Sequence, residues 1–264
     1  MGCIYIQLPV LSPFYQKNLP MKFYRRLRPF KAISFDLDDT LYANQPIMKT
    51  AEAKMVAYFN QQFSAVVAGR EKSPSFNRKF WQPFREHAIK ILPELAYDVV
   101  RLRLESYYHG ACALGYSPEQ ARQEAERAMR TFNIERSNFI VPDKAHKLLS
   151  RLKEHYPIVS ISNGNVDTAA IGIDGYFKHI YHATEGVKQK PDAQLFNMAC
   201  KDLNILPHEL LHIGDCGLAD IEGALAAGCQ TVWVSCYNVG KPIKVIPHVV
   251  VEDISDLSKL IITR

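Results

Sequence analysis

Three carboxylates fall within four residues at Asp36-Leu37-Asp38-Asp39, and Thr40-Leu41 follow. Carboxylates this crowded repel one another until a cation or a proton relieves them. A divalent ion held by oxygens does so and can grip a phosphate at the same time. Acidic loops also cap helices, so this run alone does not decide between a metal centre and a turn. Three distant segments bear on the choice. Ile161-Ser162-Asn163-Gly164 offers a hydroxyl, an amide and backbone N–H groups, a donor set able to cradle phosphate oxygens, although Asn-Gly also spells an ordinary turn. Lys190-Pro191 supplies a point charge suited to phosphate, although a single lysine is a weak signal. Ile213-Gly214-Asp215-Cys216-Gly217-Leu218-Ala219-Asp220 brings carboxylates again, to complete a shell of oxygens or to open a helix.

These segments need strands and helices to bring them together. Residues 31–35 (KAISF) are a short β-favouring run that ends on Asp36. From about 45 to 132 the rhythm is helical: Ile47, Ala51, Met55, Tyr58 and Phe59 recur at helical spacing over 46–63. Leu95, Val99, Leu102 and Tyr107 continue the pattern over 94–114. Ser117-Pro118-Glu119-Gln120 marks a helix start, with a capping serine, proline in the first turn and an acid beside it. Beyond Pro142 the pattern alternates: helix 143–155, strand 157–161, strand 179–183, helix 192–203, strand 210–213, helix near 220–227, strand 231–235. Alternating strands and helices predict a parallel sheet covered on both faces, whose carboxyl ends are where open α/β sheets bind ligands.

In this order, each following a strand or opening a helix, the four segments resemble those of the haloacid dehalogenase superfamily over about residues 30–236. The resemblance implies an α/β fold: a Rossmann-like parallel-sheet core with an inserted helical cap domain. The expected division is an N-terminal extension at 1–29, a core at 30–43 and 136–264, and a cap at 44–135. Residues 1–20 are expected to be dispensable, with Met21 as the working start.

Residue roles follow from the same resemblance. Asp36 is the expected nucleophile, forming an aspartyl-phosphate, and Asp38 the acid that protonates the leaving alkoxide and then activates water. Asp36, the backbone carbonyl of Asp38, and Asp215 are the expected ligands of Mg²⁺, with Mn²⁺ or Co²⁺ as substitutes. Asp220 is expected to support that shell. Ser162, Asn163 and Lys190 are the expected binders of the phosphoryl oxygens, and Thr40 orders the loop. A carboxylate two residues after the nucleophile points to phosphatase or phosphomutase chemistry, since the dehalogenases of the superfamily lack it. Cys216 departs from the Asp or Ser often found directly after the fourth-motif acid.

Met21-Lys22-Phe23-Tyr24-Arg25-Arg26-Leu27, the run 35–48 and Ile161-Ser162-Asn163-Gly164-Asn165 resemble one phosphatase branch of the family. That likeness implies 5-amino-6-(5-phospho-D-ribitylamino)uracil, from riboflavin biosynthesis, as substrate, with flavin mononucleotide as a side substrate. Phosphatases of other sugar or nucleotide phosphates and β-phosphoglucomutase-like transferases remain as alternatives. Phe80, Trp81, Phe84, Tyr97, Tyr107 and Tyr108 in the helical block are stacking candidates for a flat ring or plain helix core. His87 and Arg101 are candidates to reach a substrate or to face solvent.

Composition narrows the rest. With 32 Lys+Arg against 27 Asp+Glu, the net charge of +5 over 264 residues favours anions only weakly. Basic residues cluster only at Arg25, Arg26, Arg28 and Lys31, a thin basis for nucleic-acid binding beside a solvated segment before the first strand. Cys3, Cys112, Cys200, Cys216, Cys229 and Cys236 form no CxxC pair and no zinc spacing, which fits a reducing cytoplasm. No apolar run approaches the ~20 residues of a membrane helix. The expected partner is a small-molecule phosphate ester, with no nucleic acid and no membrane, for a monomer or weak homo-oligomer. A non-catalytic scaffold usually loses a nucleophile or a metal carboxylate, and Asp36, Asp38 and Asp215 are all present.

Overall fold

The computed structural model describes residues 21–68, 74–183, 186–237 and 244–260. The reading of residues 1–20 as dispensable, and Cys3 with it, lies outside the described residues. The described strands are β1 (Met21–Phe23), β2 (Ala32–Phe35), β3 (Ile158–Ser162), β4 (His179–His182), β5 (Leu210–Gly214), β6 (Gln230–Val234) and β7 (Val249–Val251). They form one sheet in the order β1-β7-β6-β5-β2-β3-β4, parallel except for β1 on β7. The chain leaves β2 for β3 on one side and later returns to β5 on the other. That change of direction opens a crevice beyond the carboxyl ends of β2, β3 and β5, where ligands bind in open sheets.

Between β2 and β3 stand α1 (Asn44–Gln62), α2 (Ser64–Val67), α3 (Arg78–Ile91), α4 (Val99–Leu114) and α5 (Pro118–Arg136). They bury a cluster of their own, including Met55, Phe59, Phe63, Tyr107 and Phe132. The remaining helices, α6 (Asp143–Lys153), α7 (Gln194–Leu203) and α8 (Gly223–Ala226), cover the sheet. Alternation along the strands divides the sheet core in two. Ile33, Phe35, Leu211 and Ile213 meet Leu148, Leu149 and Leu152 of α6 on one face, and Val159 and Ile161 meet Leu195, Phe196 and Ala199 of α7 on the other. Among the described residues no helix is long and apolar enough to cross a membrane.

Two expectations need adjusting. The helix read over 94–114 breaks at Asp98, because its Oδ1 accepts from the backbone N–H groups of Val100 and Arg101 at 3.1 and 2.9 Å and starts α4 there. Part of the N-terminal extension, Met21–Phe23, is instead the edge strand β1, paired with Val249–Val251. The basic segment behind it is stitched down by Gln230, whose Oε1 accepts from the Arg28 N–H at 2.7 Å, and by the Lys31–Glu209 ion pair at 2.7 Å. The capping box read at Ser117 is present, with Ser117 and Gln120 bonded reciprocally at 3.3 and 3.1 Å.

Candidate active site

Each motif leaves the carboxyl end of a strand or enters the crevice beside one. Asp36 follows β2, and its N–H still bonds to Ile213 O at 2.8 Å, which ties its backbone to β5. Asp215 follows β5, and its backbone carbonyl accepts from Trp233 Nε1 at 2.7 Å. Both acids are buried. Asp39 turns away: it adopts φ 55°, and its Oδ1 accepts from the Asn44 N–H at 2.8 Å, capping α1. The third carboxylate of the acidic run is therefore structural.

Lys190 sits at the centre. Its Nζ donates to Asp36 Oδ1 at 2.8 Å, to Ile161 O at 2.6 Å and to Asp220 Oδ1 at 2.6 Å, which engages all three ammonium hydrogens. Burial alone would push this ammonium down, but Asp220 and Asp36 overcome it and hold Lys190 above its ordinary value. Asn163 fastens the lysine in place: its Oδ1 accepts from the Lys190 N–H at 2.8 Å and its Nδ2 donates to Lys190 O at 2.9 Å. Ser162 Oγ is buried and accepts from the Gly164 N–H at 3.2 Å, which keeps its own hydrogen free to donate.

Asp220 is held from three sides. Besides Lys190, His212 Nε2 lies 3.2 Å from Oδ1, and the Cys216 N–H donates to Oδ2 at 2.8 Å. Burial would raise its carboxyl, but Lys190 and His212 hold it below the usual carboxylate range. Gly214 makes this approach possible, since a Cβ there would sit 2.3 Å from Asp220 Cγ. His212 is wholly buried and bonds Ser34 Oγ through Nδ1 at 2.9 Å; burial pushes its ring down, toward the neutral form. The Cys216 side chain has no part in these contacts, because the backbone N–H of that residue does the work.

Asp36 and Asp215 have the opposite surroundings. Burial raises Asp36 to about 7; Lys190 opposes this, while Asp220 and Asp38 add to it. Burial, then the charges of Asp220, Asp36 and Asp39, raises Asp215 to about 8. Its Oδ1 accepts a long hydrogen bond from Thr40 Oγ1 at 3.4 Å. Oxygens of Asp36, Asp215 and Asp220 lie within 4.8 Å of one another. With the Asp220 oxygens already bonded, the under-neutralised pair is Asp36 and Asp215. This donor set of hard oxygens fits a divalent cation such as Mg²⁺.

Asp38 pairs with Arg136, the last residue of α5, whose Nη2 donates to its Oδ1. The other carboxyl oxygen, Oδ2, lies over Gly164, where a Cβ would come within 2.7 Å of it. Arg136 is only 2% exposed, and its Nη1 has no partner among the described residues. The same end of α5 holds the core through Asn133 Oδ1, which accepts from Asn165 Nδ2 at 3.0 Å, and Ser137 Oγ, which accepts from the Asp167 N–H at 3.0 Å.

All seven site residues read from the sequence therefore converge on one crevice. Sequence reasoning missed Arg136, His212 and Trp233. A polar residue within the apolar run LLHIG was a usable signal for His212, whereas Arg136 lies 98 residues from Asp38 and carries no motif. The aromatics of the helical block divide: Phe80, Trp81 and Tyr107 join its ring cluster, Tyr108 lies under Arg122, and Tyr97 is exposed. His87 faces His109 with ring centroids 4.9 Å apart.

The family model for haloacid dehalogenase-like hydrolases matches residues 30–228. The chain is 31% identical over 245 residues to the 5-amino-6-(5-phospho-D-ribitylamino)uracil phosphatase YigB of Escherichia coli, covering 91% of this chain and 100% of that one. It is 28% identical to the glyceraldehyde 3-phosphate phosphatase of Pyrococcus furiosus, covering 78% of this chain and 81% of that one. Among solved structures, a 2-haloacid dehalogenase from Pseudomonas syringae superposes with a TM-score of 0.79 at 24% identity, covering 88% of this chain and 97% of that one. At that identity the likeness concerns the fold. The fold, the order of the motifs and these matches agree: the chain belongs to the haloacid dehalogenase-like hydrolases, as an enzyme of their phosphatase branch.

Proposed function

We propose that this enzyme hydrolyses a small phosphate monoester by attack of Asp36 on phosphorus. The observation that carries the reading is the convergence of Asp36, Asp38 and Asp215 at the crevice, with Lys190 bracketing Asp36. A carboxylate oxygen of Asp36 forms the new bond to phosphorus while the ester oxygen departs and takes a proton from Asp38. Water then attacks the aspartyl-phosphate and yields its proton to Asp38. Arg136 occupies Oδ1 of Asp38, so Oδ2, over Gly164, is the oxygen that carries the proton. Ser162 Oγ, oriented by the Gly164 N–H, and the backbone N–H of Asn163 receive the phosphoryl oxygens. Lys190 keeps Asp36 in place with its charge, and the Asn163 side chain positions Lys190 rather than the substrate.

Asp36, Asp215 and the Asp38 carbonyl would hold Mg²⁺, with Mn²⁺ or Co²⁺ able to replace it and Asp220 supporting from behind. Bound there, the ion supplies the charge that neutralises these carboxylates and polarises the phosphoryl oxygens. Residues 44–135 act as a cap over this site, and 30–43 with 136–264 as the catalytic core. The substrate we infer is 5-amino-6-(5-phospho-D-ribitylamino)uracil, with flavin mononucleotide as a second ester. Support comes from 31% identity to the Escherichia coli enzyme over its whole length. The reading places the enzyme in the cytoplasm as a monomer or weak homo-oligomer.

Phosphate release across a panel holding these two esters and simple sugar phosphates tests the reading. The expected result is release that stops in EDTA, returns with Mg²⁺ and needs no bisphosphate activator. Release that continues undiminished in chelator, or appears only with a bisphosphate, would contradict it.

A further inference from the structure

The helical block encloses a cavity of about 320 Å³, at the small end of the ~300–1,000 Å³ range of ligand pockets. Its walls come from α1, α3, α4 and α5. Phe59, Trp81, Tyr107 and Phe132 contribute aromatic surface, and Arg78, Arg85 and Arg103 contribute three guanidinium groups. Glu52 is the one carboxylate in this lining. Among the described residues none of the three arginines makes an ion pair. Arg103 is pinned, with its guanidinium carbon 3.7 Å from the Phe132 ring centroid and Nη1 3.5 Å from the Tyr107 hydroxyl. Half-burial, then the charges of Arg103 and Arg78, pushes Arg85 down from its ordinary value. Three cations gathered in one concavity, without bonded carboxylates, are under repulsion that an electron-rich ligand relieves.

The cavity adjoins the reaction crevice. Phe132 precedes Arg136, the partner of Asp38, by four residues of α5. Met48 follows Asn44, the partner of Asp39, by four residues of α1. Four residues of helix rise about 6 Å. On two helices, then, the cavity begins about one turn from residues that touch the acidic loop.

We propose that this cavity seats the leaving group, and that Arg78, Arg85 and Arg103 select a planar ring whose edge carries acceptor oxygens or negative charge. The aromatic walls take the ring faces and the guanidinium forks take the edge. The spacing requires several bonds between ring and phosphoryl group, so compact aliphatic esters leave the cavity unfilled. This inference rests on the phosphatase reading above and specifies its substrate class.

Arg85→Gln tests it, with Lys79→Gln as a control that removes the same charge from the exposed side of the same helix. The kinetic readout is kcat/KM for flavin mononucleotide divided by kcat/KM for glycerol 3-phosphate. The proposal expects this ratio to fall at least tenfold in Arg85→Gln and to hold in Lys79→Gln. An independent readout is calorimetric titration with orotate, a planar ring bearing a carboxylate and no phosphate. Orotate should bind the parent and bind Arg85→Gln at least tenfold more weakly, while cyclohexanecarboxylate, its non-planar counterpart, should show no measurable binding to the parent. An unchanged ratio, orotate that fails to bind the parent, or orotate bound equally by Arg85→Gln overturns the cavity assignment. If no ester releases phosphate, the phosphatase reading falls, while the orotate titration still decides the cavity.

Discussion

Asp36 and Asp215 are acids in surroundings that favour their protonated forms, raised to about 7 and about 8 by burial first and then by neighbouring carboxylates, Asp220 foremost. A raised carboxyl means that the folded chain binds protons the unfolded chain has released, so folding loses stability as pH rises through the interval between the two values. With chelator present, stability contributed by this pair should decline as pH rises from about 4 to about 8. Asp220, held low by Lys190 and His212, has the opposite sign: its contribution is complete above about pH 4 and is lost only as pH falls further. Asp215→Asn removes one of the titrating acids. Denaturant midpoints measured in EDTA should therefore fall less steeply with pH in Asp215→Asn than in the parent, and Mg²⁺ should raise the parent's midpoint at pH 8 more than the variant's. Parallel pH profiles for the two proteins would count against the burial of an under-neutralised pair at this site.

At the scale of elements, the site depends on strands that end where chemistry begins. Asp36 and Asp215 follow neighbouring parallel strands, and Ser162 ends the strand on the other side of β2. This much was legible in the sequence, because apolar runs of four or five residues stop abruptly at polar ones. Partnerships across the chain were not. Nothing local to Lys190 says that its three hydrogens go to Asp36, Ile161 and Asp220, and nothing local to Arg136 points to Asp38. Strands β1 and β7, of three residues each, are too short to carry a readable alternation. The close approach of β5 to the turn that follows it gives a test. A methyl group at position 214 would lie 2.3 Å from Asp220 Cγ, and Asp220 is tied by three bonds and cannot step aside. Gly214→Ala should lower stability by about 1–3 kcal/mol in thermal unfolding and reduce turnover with it. A variant with the parent's melting point and rate would show that Asp220 is freer than its contacts indicate.

At the scale of the molecule, one sheet supplies the reacting groups and one helical block, inserted after its first parallel strand, supplies the neighbouring cavity. The last turn of α5 and the residue after it join them: Arg136 reaches Asp38, Asn133 reaches Asn165, and Ser137 accepts from the Asp167 N–H. The insertion was legible as a helical stretch between a strand and the next alternating segment. The cavity was not, since its arginines are spread over α3 and α4 and meet only when the helices pack. The central claim is that Asp36 takes the phosphoryl group, and rapid acid quenching of the enzyme during turnover of a ³²P-labelled ester tests it most directly. The account predicts label on the denatured protein, released by hydroxylamine, mapped to the peptide containing Asp36, and absent from Asp36→Asn, whose phosphate release falls by at least about 10³-fold. Label on a different residue, or turnover in Asp36→Asn at the parent's rate, would contradict it.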